Sequence, residues 1–207
     1  MAVSLLESPH LARLYLPPPD SHAILWSDGS AECDAAIDAF ITGAAERGDM
    51  VMVVLPRSEL ATLRERLRLR GTDLDALVDG GHLFRTVTED VMPRRPEDVE
   101  RSPQDMAAIA EFARISGKNG LSVLSRIGSL FFDRGDQAMA SLVERTGQAH
   151  RSGVRTLCLY NAKNLKSDRF SDAVSLTRTH TDAITAVGGG RFFVETAKKA
   201  PQEILVS

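Results

Sequence analysis

The chain has 207 residues, 43% of them hydrophobic and 26% charged, a balance that suits one compact domain with a sizeable core. A net charge of −3 and a pI near 6.0 weigh against a general nucleic-acid binder, which needs a strongly basic face. Its two cysteines, Cys33 and Cys158, lie far apart and outside any CxxC, so neither a disulfide framework nor a thiolate zinc site is indicated, and the usage fits a reducing cytoplasm.

In chain order, residues 1–20 read as a leader without the basic start and apolar run of a signal peptide, ending in the stiff Pro17-Pro18-Pro19, and residues 21–207 read as a single domain. No stretch approaches the ~20 apolar residues of a membrane span. Residues 23–27 form a first strand and 33–47 a helix, with Ser30 as its cap and Ile37, Phe40, Ile41 and Ala44 on one stripe. Residues 50–55 lack almost any polar interruption, as suits a strand buried on both faces of a parallel sheet. A helix over 58–70 places Leu60, Leu63 and Leu67 inward, sets its arginines on the solvated face and stops at Gly71. Residues 82–86 make a third strand, and the charged, proline-containing 91–101 is the expected mobile loop or lid. Ser102-Pro103 then starts a helix carrying Met106, Ile109 and Ala113. A strand over 121–124, a helix over 136–151 packed through Met139, Leu142, Val143 and Thr146, and a strand over 154–160 follow. A turn at 161–164 leads into a last helical region, a glycine run at 188–190 and a closing strand over 191–195. Strands alternating with helices of these lengths predict a three-layer α/β/α fold with a mainly parallel sheet, whose ligands bind at the carboxyl ends of the strands.

That rule selects the site candidates. The turn after the first strand, Ser27-Asp28-Gly29-Ser30, stands where a phosphate loop carries Gly-Lys-Ser/Thr, but residues 27–46 contain no Lys or Arg and five acids: Asp28, Glu32, Asp34, Asp38 and Glu46. A triphosphate would meet repulsion there, so the turn reads as part of a phosphate-loop scaffold that has lost, or never had, its phosphate chemistry. The fourth strand ends in Ser125-Arg126 where a phosphate-loop ATPase places its magnesium-binding acid. Arg126 could pair with a ligand anion or with a carboxylate such as Asp28, or simply bridge loops. Trp26 could be a stacking wall for a planar ligand or a core anchor. With Asp28, Ser30, Arg126, Tyr160, Asn161 and His180 it completes the ligand-binding set. His180, between two threonines, is the leading single candidate, although a lone histidine so placed is more often a satisfied structural hydrogen bonder. No cofactor and no metal site are expected: a metal would need His180 to converge with His22, His82, Cys33 or Cys158, which lack metal-ligand spacing. No GxSxG elbow supports nucleophilic catalysis.

The early SDGSAECDAAIDAFITGAAERGDMVMVV and the later CLYNAKNLKSDRFSDAVSLTRTHTDAITAVGGG carry a resemblance, together with His10, Leu11, Leu14 and Tyr15 near the start. In the order of these pieces, through Phe40-Ile41, Arg47-Gly48-Asp49, Cys158-x-Tyr160 and Thr179-His180, the chain resembles the MEDS family, the sensory domain of methanogen and methylotroph regulators of the DcmR type. The resemblance implies a RecA/KaiC-like core lacking catalytic motifs, and signal reception rather than catalysis. It carries no ligand identity, since Asn161 stands where many relatives have an acid. Relatives join this domain to a DNA-binding or kinase module, whereas about 20 residues precede the first strand here, fewer than a DNA-binding domain of usual size needs.

The reading is therefore a non-enzymatic cytoplasmic sensory domain that binds a small molecule or a protein in signal transduction or transcriptional control. It passes its signal to a regulatory protein partner or through self-association, with no direct nucleic-acid contact and no membrane. The alternatives are a degenerate nucleotide binder using Arg126 or Lys163, and a pure interaction module that docks through residues 91–101 or the leader.

Overall fold

The computed structural model of the chain describes residues 9–148, 153–166, 168–187 and 191–196. The leader contributes a helix to the core: α1 (Pro9–Tyr15) buries Leu11 and Leu14 against α2 (Ala31–Glu46), and Arg13 reaches Asp182 at 2.6 Å. Between these helices runs β1 (His22–Ser27), almost wholly buried. Ser30 caps α2 as expected, its hydroxyl accepting from the Cys33 amide at 3.4 Å, and Ile37, Phe40, Ile41 and Ala44 all face inward.

The apolar run Met50–Leu55 is β2, and α3 (Arg57–Leu69) packs through Leu63 and Leu67, ending before Gly71 at φ 87°. Arg64 and Arg68 are solvated, but Arg66 turns back to pair with Asp34 and Asp38 of α2, so its half of the expected polar face is an inter-helix bridge. A helix that the pattern did not announce, α4 (Leu74–Asp79), is capped by Asp73, whose carboxylate accepts from the amides of Asp75 and Ala76. β3 (Leu83–Val87) and the single turn α5 (Thr88–Val91) follow.

The expected lid is corrected by α6 (Pro96–Ile115), which begins inside residues 91–101. Pro96 occupies the first turn, where its missing N–H costs nothing, and the Asp98 carboxylate accepts from the amides of Arg94 and Arg95 at 3.1 and 3.0 Å. Ser102-Pro103 is thus interior to the helix rather than its start. Val99 and Ala113 are its buried positions.

Next come β4 (Leu121–Ser125), the unforeseen α7 (Ile127–Asp133), α8 (Gln137–Gln148) and β5 (Val154–Asn161). A 3₁₀ turn (Ala162–Lys166) leads to α9 (Phe170–Thr177), then β6 (Asp182–Val187) and β7 (Arg191–Thr196). β6 lies where a helical region was expected to continue; the glycine run 188–190 lies outside the described residues.

The sheet runs β3-β2-β4-β5-β1-β6-β7, with β3 to β6 parallel throughout and β7 antiparallel to β6. Helices cover both faces, so the fold is the expected three-layer α/β arrangement. Strand alternation divides the core. Ala23, Leu25, Leu157 and Leu159 face α1 to α4, whereas Ile24, Trp26, Cys158 and Tyr160 face α7, α8 and α9. No described helix is long and apolar enough to cross a membrane.

Candidate functional site

Two polar centres occupy opposite faces of the sheet. The first is a cleft of about 400 Å³ at the carboxyl ends of β1, β2 and β5, where the parallel topology puts loops rather than helices over the strands. Asp28, Asn161 and Arg126 line it together, with Glu59 and Arg66 reaching in from α3. Gly29, at φ 79°, makes the turn that brings Asp28 back over the strand end. There its Oδ1 accepts from the Ser30 amide at 2.9 Å and the Cys33 thiol at 3.4 Å. Hydrogen bonds from Ser30 hold the Asp28 carboxyl below the ordinary value.

Arg126 does not pair with Asp28. Its guanidinium donates to Glu59 at 2.6 Å and Ser129 at 3.2 Å and lies 3.6 Å from Asp133, which is the loop-bridging alternative. Its buried Nε–H has no acceptor among the described residues. Asn161 accepts from the Lys163 amide at 3.0 Å, tightening the turn after β5. Of the other predicted residues, Ser30 is the cap of α2, and Trp26 is a core anchor rather than a stacking wall. The indole is 1% exposed, donates to Thr177 at 3.2 Å and packs 5.2 Å from the Tyr160 ring. A second recess of about 430 Å³, between β3 and α6 around Phe84 and Phe112, is lined mainly by apolar groups.

Tyr160 lines the cleft as well, but its hydroxyl, with His180, belongs to the second centre, which lies under α8 on the far face. β1 supplies His22, β5 supplies Cys158 and Tyr160, α8 supplies Glu144, and the segment before β6 supplies His180. Each is buried, and Glu144 is 2% exposed. Glu144 Oε2 lies 3.1 Å from His22 Nε2, 3.1 Å from His180 Nε2 and 3.2 Å from Cys158 Sγ, while Oε1 accepts from the Tyr160 hydroxyl at 2.6 Å. The imidazoles of His22 and His180 sit 4.2 Å apart, centroid to centroid.

Burial alone would raise the Glu144 carboxyl, but the attraction and hydrogen bonds of His180 and His22 outweigh it and hold the group well below the usual range. Burial lowers His22, and His180 beside it adds to the effect. Burial and the Glu144 charge push the Cys158 thiol and the Tyr160 phenol well up. The small residues around the centre are what make room for it. A methyl built on Gly128 of α7 would collide with Glu144 Oε1 and the Tyr160 hydroxyl, and one on Gly147 of α8 would touch His22 Nε2 at 3.4 Å.

The convergence that spacing argued against is therefore real for His22, Cys158 and His180, though not for His82 or Cys33. Sequence reasoning missed Glu144. Its signal was present: the inward stripe of α8 is Ala140, Glu144 and Gly147, at i, i+4 and i+7, an acid between two small residues.

A family model described as MEDS, the MEthanogen/methylotroph, DcmR Sensory domain, matches residues 21–181, a span that runs from just before His22 to just after His180. A search of curated proteins finds no match.

Proposed function

This chain belongs to the MEDS family of sensory domains, and from that premise we propose that it receives its signal, without catalysing a reaction, by seating a small polar ligand in the cleft at the strand exits. The observation that carries the reading is the meeting of the Arg126 guanidinium with Asp28 and Asn161 around one cleft of about 400 Å³ at the strand exits. The carboxylate of Asp28 and the amide of Asn161 offer the complementary contacts, so the fitting ligand carries one acceptor and one donor group. Among the residues lining the cleft there is no histidine, lysine or cysteine, a lining that supports binding rather than turnover. The output goes to a regulatory protein partner.

A thermal-shift screen of the chain against nucleotides, one-carbon and other small metabolites tests this. A ligand at 100 times its Kd adds about 2.7 kcal/mol, or roughly 5–11 °C in a chain of this size. The shift is expected to vanish in Arg126→Ala and to shrink in Asn161→Ala. Silence across the panel at millimolar concentration, or a shift untouched by both substitutions, would overturn the reading.

A further inference from the structure

Ligand binding in the cleft gives no reason for a carboxylate, a thiol and two imidazoles, drawn from four separate elements, to meet in the dry interior under α8. We propose that Glu144 Oε2, Cys158 Sγ, His22 Nε2 and His180 Nε2 are the ligands of a buried divalent transition-metal site, best matched by Zn²⁺. The proposal does not rest on the reading given for the cleft.

Geometry is the first support. The four donor atoms lie within 4.8 Å of one another. The separations around Glu144 Oε2 are 3.1, 3.1 and 3.2 Å, and His22 Nε2 is 3.3 Å from Cys158 Sγ. A tetrahedral Zn²⁺ with bonds of about 2.0–2.2 Å to nitrogen and oxygen and about 2.3 Å to sulfur has ligand-to-ligand edges of roughly 3.3–3.6 Å. Displacements of a few tenths of an ångström bring these four separations to those edges, and the remaining pairs, within 4.8 Å, close by side-chain adjustment as the ion is taken up.

The surroundings orient His180 and Glu144 as metal ligands are oriented. His180 Nδ1 lies 2.8 Å from the Leu176 carbonyl oxygen, which can only accept, so a neutral His180 carries its proton on Nδ1 and turns the lone pair of Nε2 to the cluster. In that neutral form Nε2 is a buried lone pair 3.1 Å from Glu144 Oε2. A nitrogen lone pair set against a carboxylate lone pair is repulsive, and a cation between them reverses the sign. Tyr160 occupies Oε1 and leaves Oε2 for the ion.

Charge is the third support. A divalent ion with one carboxylate, one thiolate and two neutral imidazoles closes at zero net charge, the condition a dry interior demands. No Lys or Arg among the described residues pairs with Glu144. Loading the ion replaces the thiol proton of Cys158 with the metal–sulfur bond and releases that proton to solvent. The donor set, two nitrogens, one oxygen and one sulfur, suits a borderline ion rather than Mg²⁺ or Ca²⁺. Four protein ligands leave no open position, so the ion is structural: it pins β1, α8, β5 and the segment before β6 to one point.

The test uses the full chain, purified with neither chelator nor metal-affinity resin, then unfolded with chelator and refolded with Co²⁺ as the probe. About one transition ion per chain is expected in the isolated protein by elemental mass spectrometry, as the closed four-ligand site requires. The Co²⁺ form should show a thiolate-to-cobalt charge-transfer band and the strong visible bands of four-coordinate cobalt. Cys158→Ser is expected to lose the charge-transfer band. Tyr160→Phe, which keeps all four ligands, should weaken Co²⁺ binding about 10–100-fold. His82→Gln, whose ring meets Lys118 at 2.9 Å away from the cluster, should change nothing. If Cys158→Ser fails to fold, X-ray absorption of the Co²⁺-loaded wild type decides, by the presence or absence of a sulfur ligand. A natively folded wild type that takes up no Co²⁺, or holds it only as the weakly absorbing six-coordinate ion, would overturn the proposal, as would a charge-transfer band surviving in Cys158→Ser.

Discussion

Gly128→Ala probes the buried cluster without touching any of its polar groups. Gly128 is the second residue of α7, and its missing Cβ is the space that the Glu144 Oε1 and Tyr160 hydroxyl oxygens fill. Both atoms are fixed by their mutual 2.6 Å hydrogen bond, so neither yields freely. An added methyl forces one of them off its rotamer, at about 1–3 kcal/mol for overpacking. Parting them removes a charge-assisted hydrogen bond, worth about 1.5–3 kcal/mol. Against this, alanine in a helix gains about 1 kcal/mol over glycine. The net expectation is a loss of about 2–5 kcal/mol, or roughly 4–20 °C in Tm for a chain of this length. Denaturant unfolding of wild type and variant measures it, with the m-value checking that the unfolded state is unchanged. A variant as stable as wild type or more so would mean that helix propensity alone acts at this position, and that the Gly128–Glu144–Tyr160 packing is wrong.

Leu14→Ala is expected to cost about 2–5 kcal/mol, because Leu14 is 2% exposed in the main core. An unchanged unfolding midpoint would show α1 to be a detachable leader after all. In a carboxyl NMR titration Asp28 should titrate below the ordinary aspartate value, and Ser30→Ala should move it back up. Since its folded pKa is depressed, the stability it contributes is present above the unfolded value, about 3.9, and is lost as pH falls through the folded one. Asp28→Asn should accordingly flatten the acid limb of the stability curve; a limb of unchanged steepness would contradict the hydrogen bonding seen in the turn.

What the sequence made legible follows from what burial writes into it. The runs Met50–Leu55 and Val154–Asn161 could hardly be anything but interior strands, and Ser30 announced its helix by cap chemistry. The elements missed were short ones. α4, α5 and α7 have 6, 4 and 7 residues, too few turns for a period to register. β6 was hidden because Thr181 to Val187 alternates weakly and follows a helix without a glycine between them. Residues 91–101 misled because prolines and charges mark loops and first helical turns alike; only the Asp98 capping contacts distinguish the two. The predicted site residues sort by strand parity, which a linear list of strand ends ignores. Asp28, Arg126 and Asn161 stay at the cleft, whereas Trp26 and the Tyr160 hydroxyl point to the other face. Cys158-x-Tyr160 and Thr179-His180, which carried the family resemblance, meet on one carboxylate, and the residue that joins them, Glu144, lay in a helix read only for its apolar stripe.

The two centres share one element. α7 starts at Arg126, whose guanidinium holds Glu59 of α3 across the cleft, and two residues later Gly128 bears on Glu144 and Tyr160. Its far end is tied down as well, by Asn164 donating to Asp133 at 2.8 Å and Arg169 donating to the Phe132 carbonyl at 2.7 Å. With that end anchored, releasing the other at Arg126 is expected to tilt α7, and a tilt of α7 acts on the cluster through Gly128. Spatial intermediacy is not coupling, so the measurement has to be energetic. Arg126→Ala frees α7 from α3 without altering any residue of the cluster and is expected to change Co²⁺ affinity, by a factor within the roughly 5–150-fold usual for coupled sites. Glu65→Ala, which breaks an exposed pair with Arg68 on α3, should leave it unchanged. Equal affinities in wild type and Arg126→Ala would show that α7 packs against both centres without connecting them, and that any signal received in the cleft leaves the protein by another route.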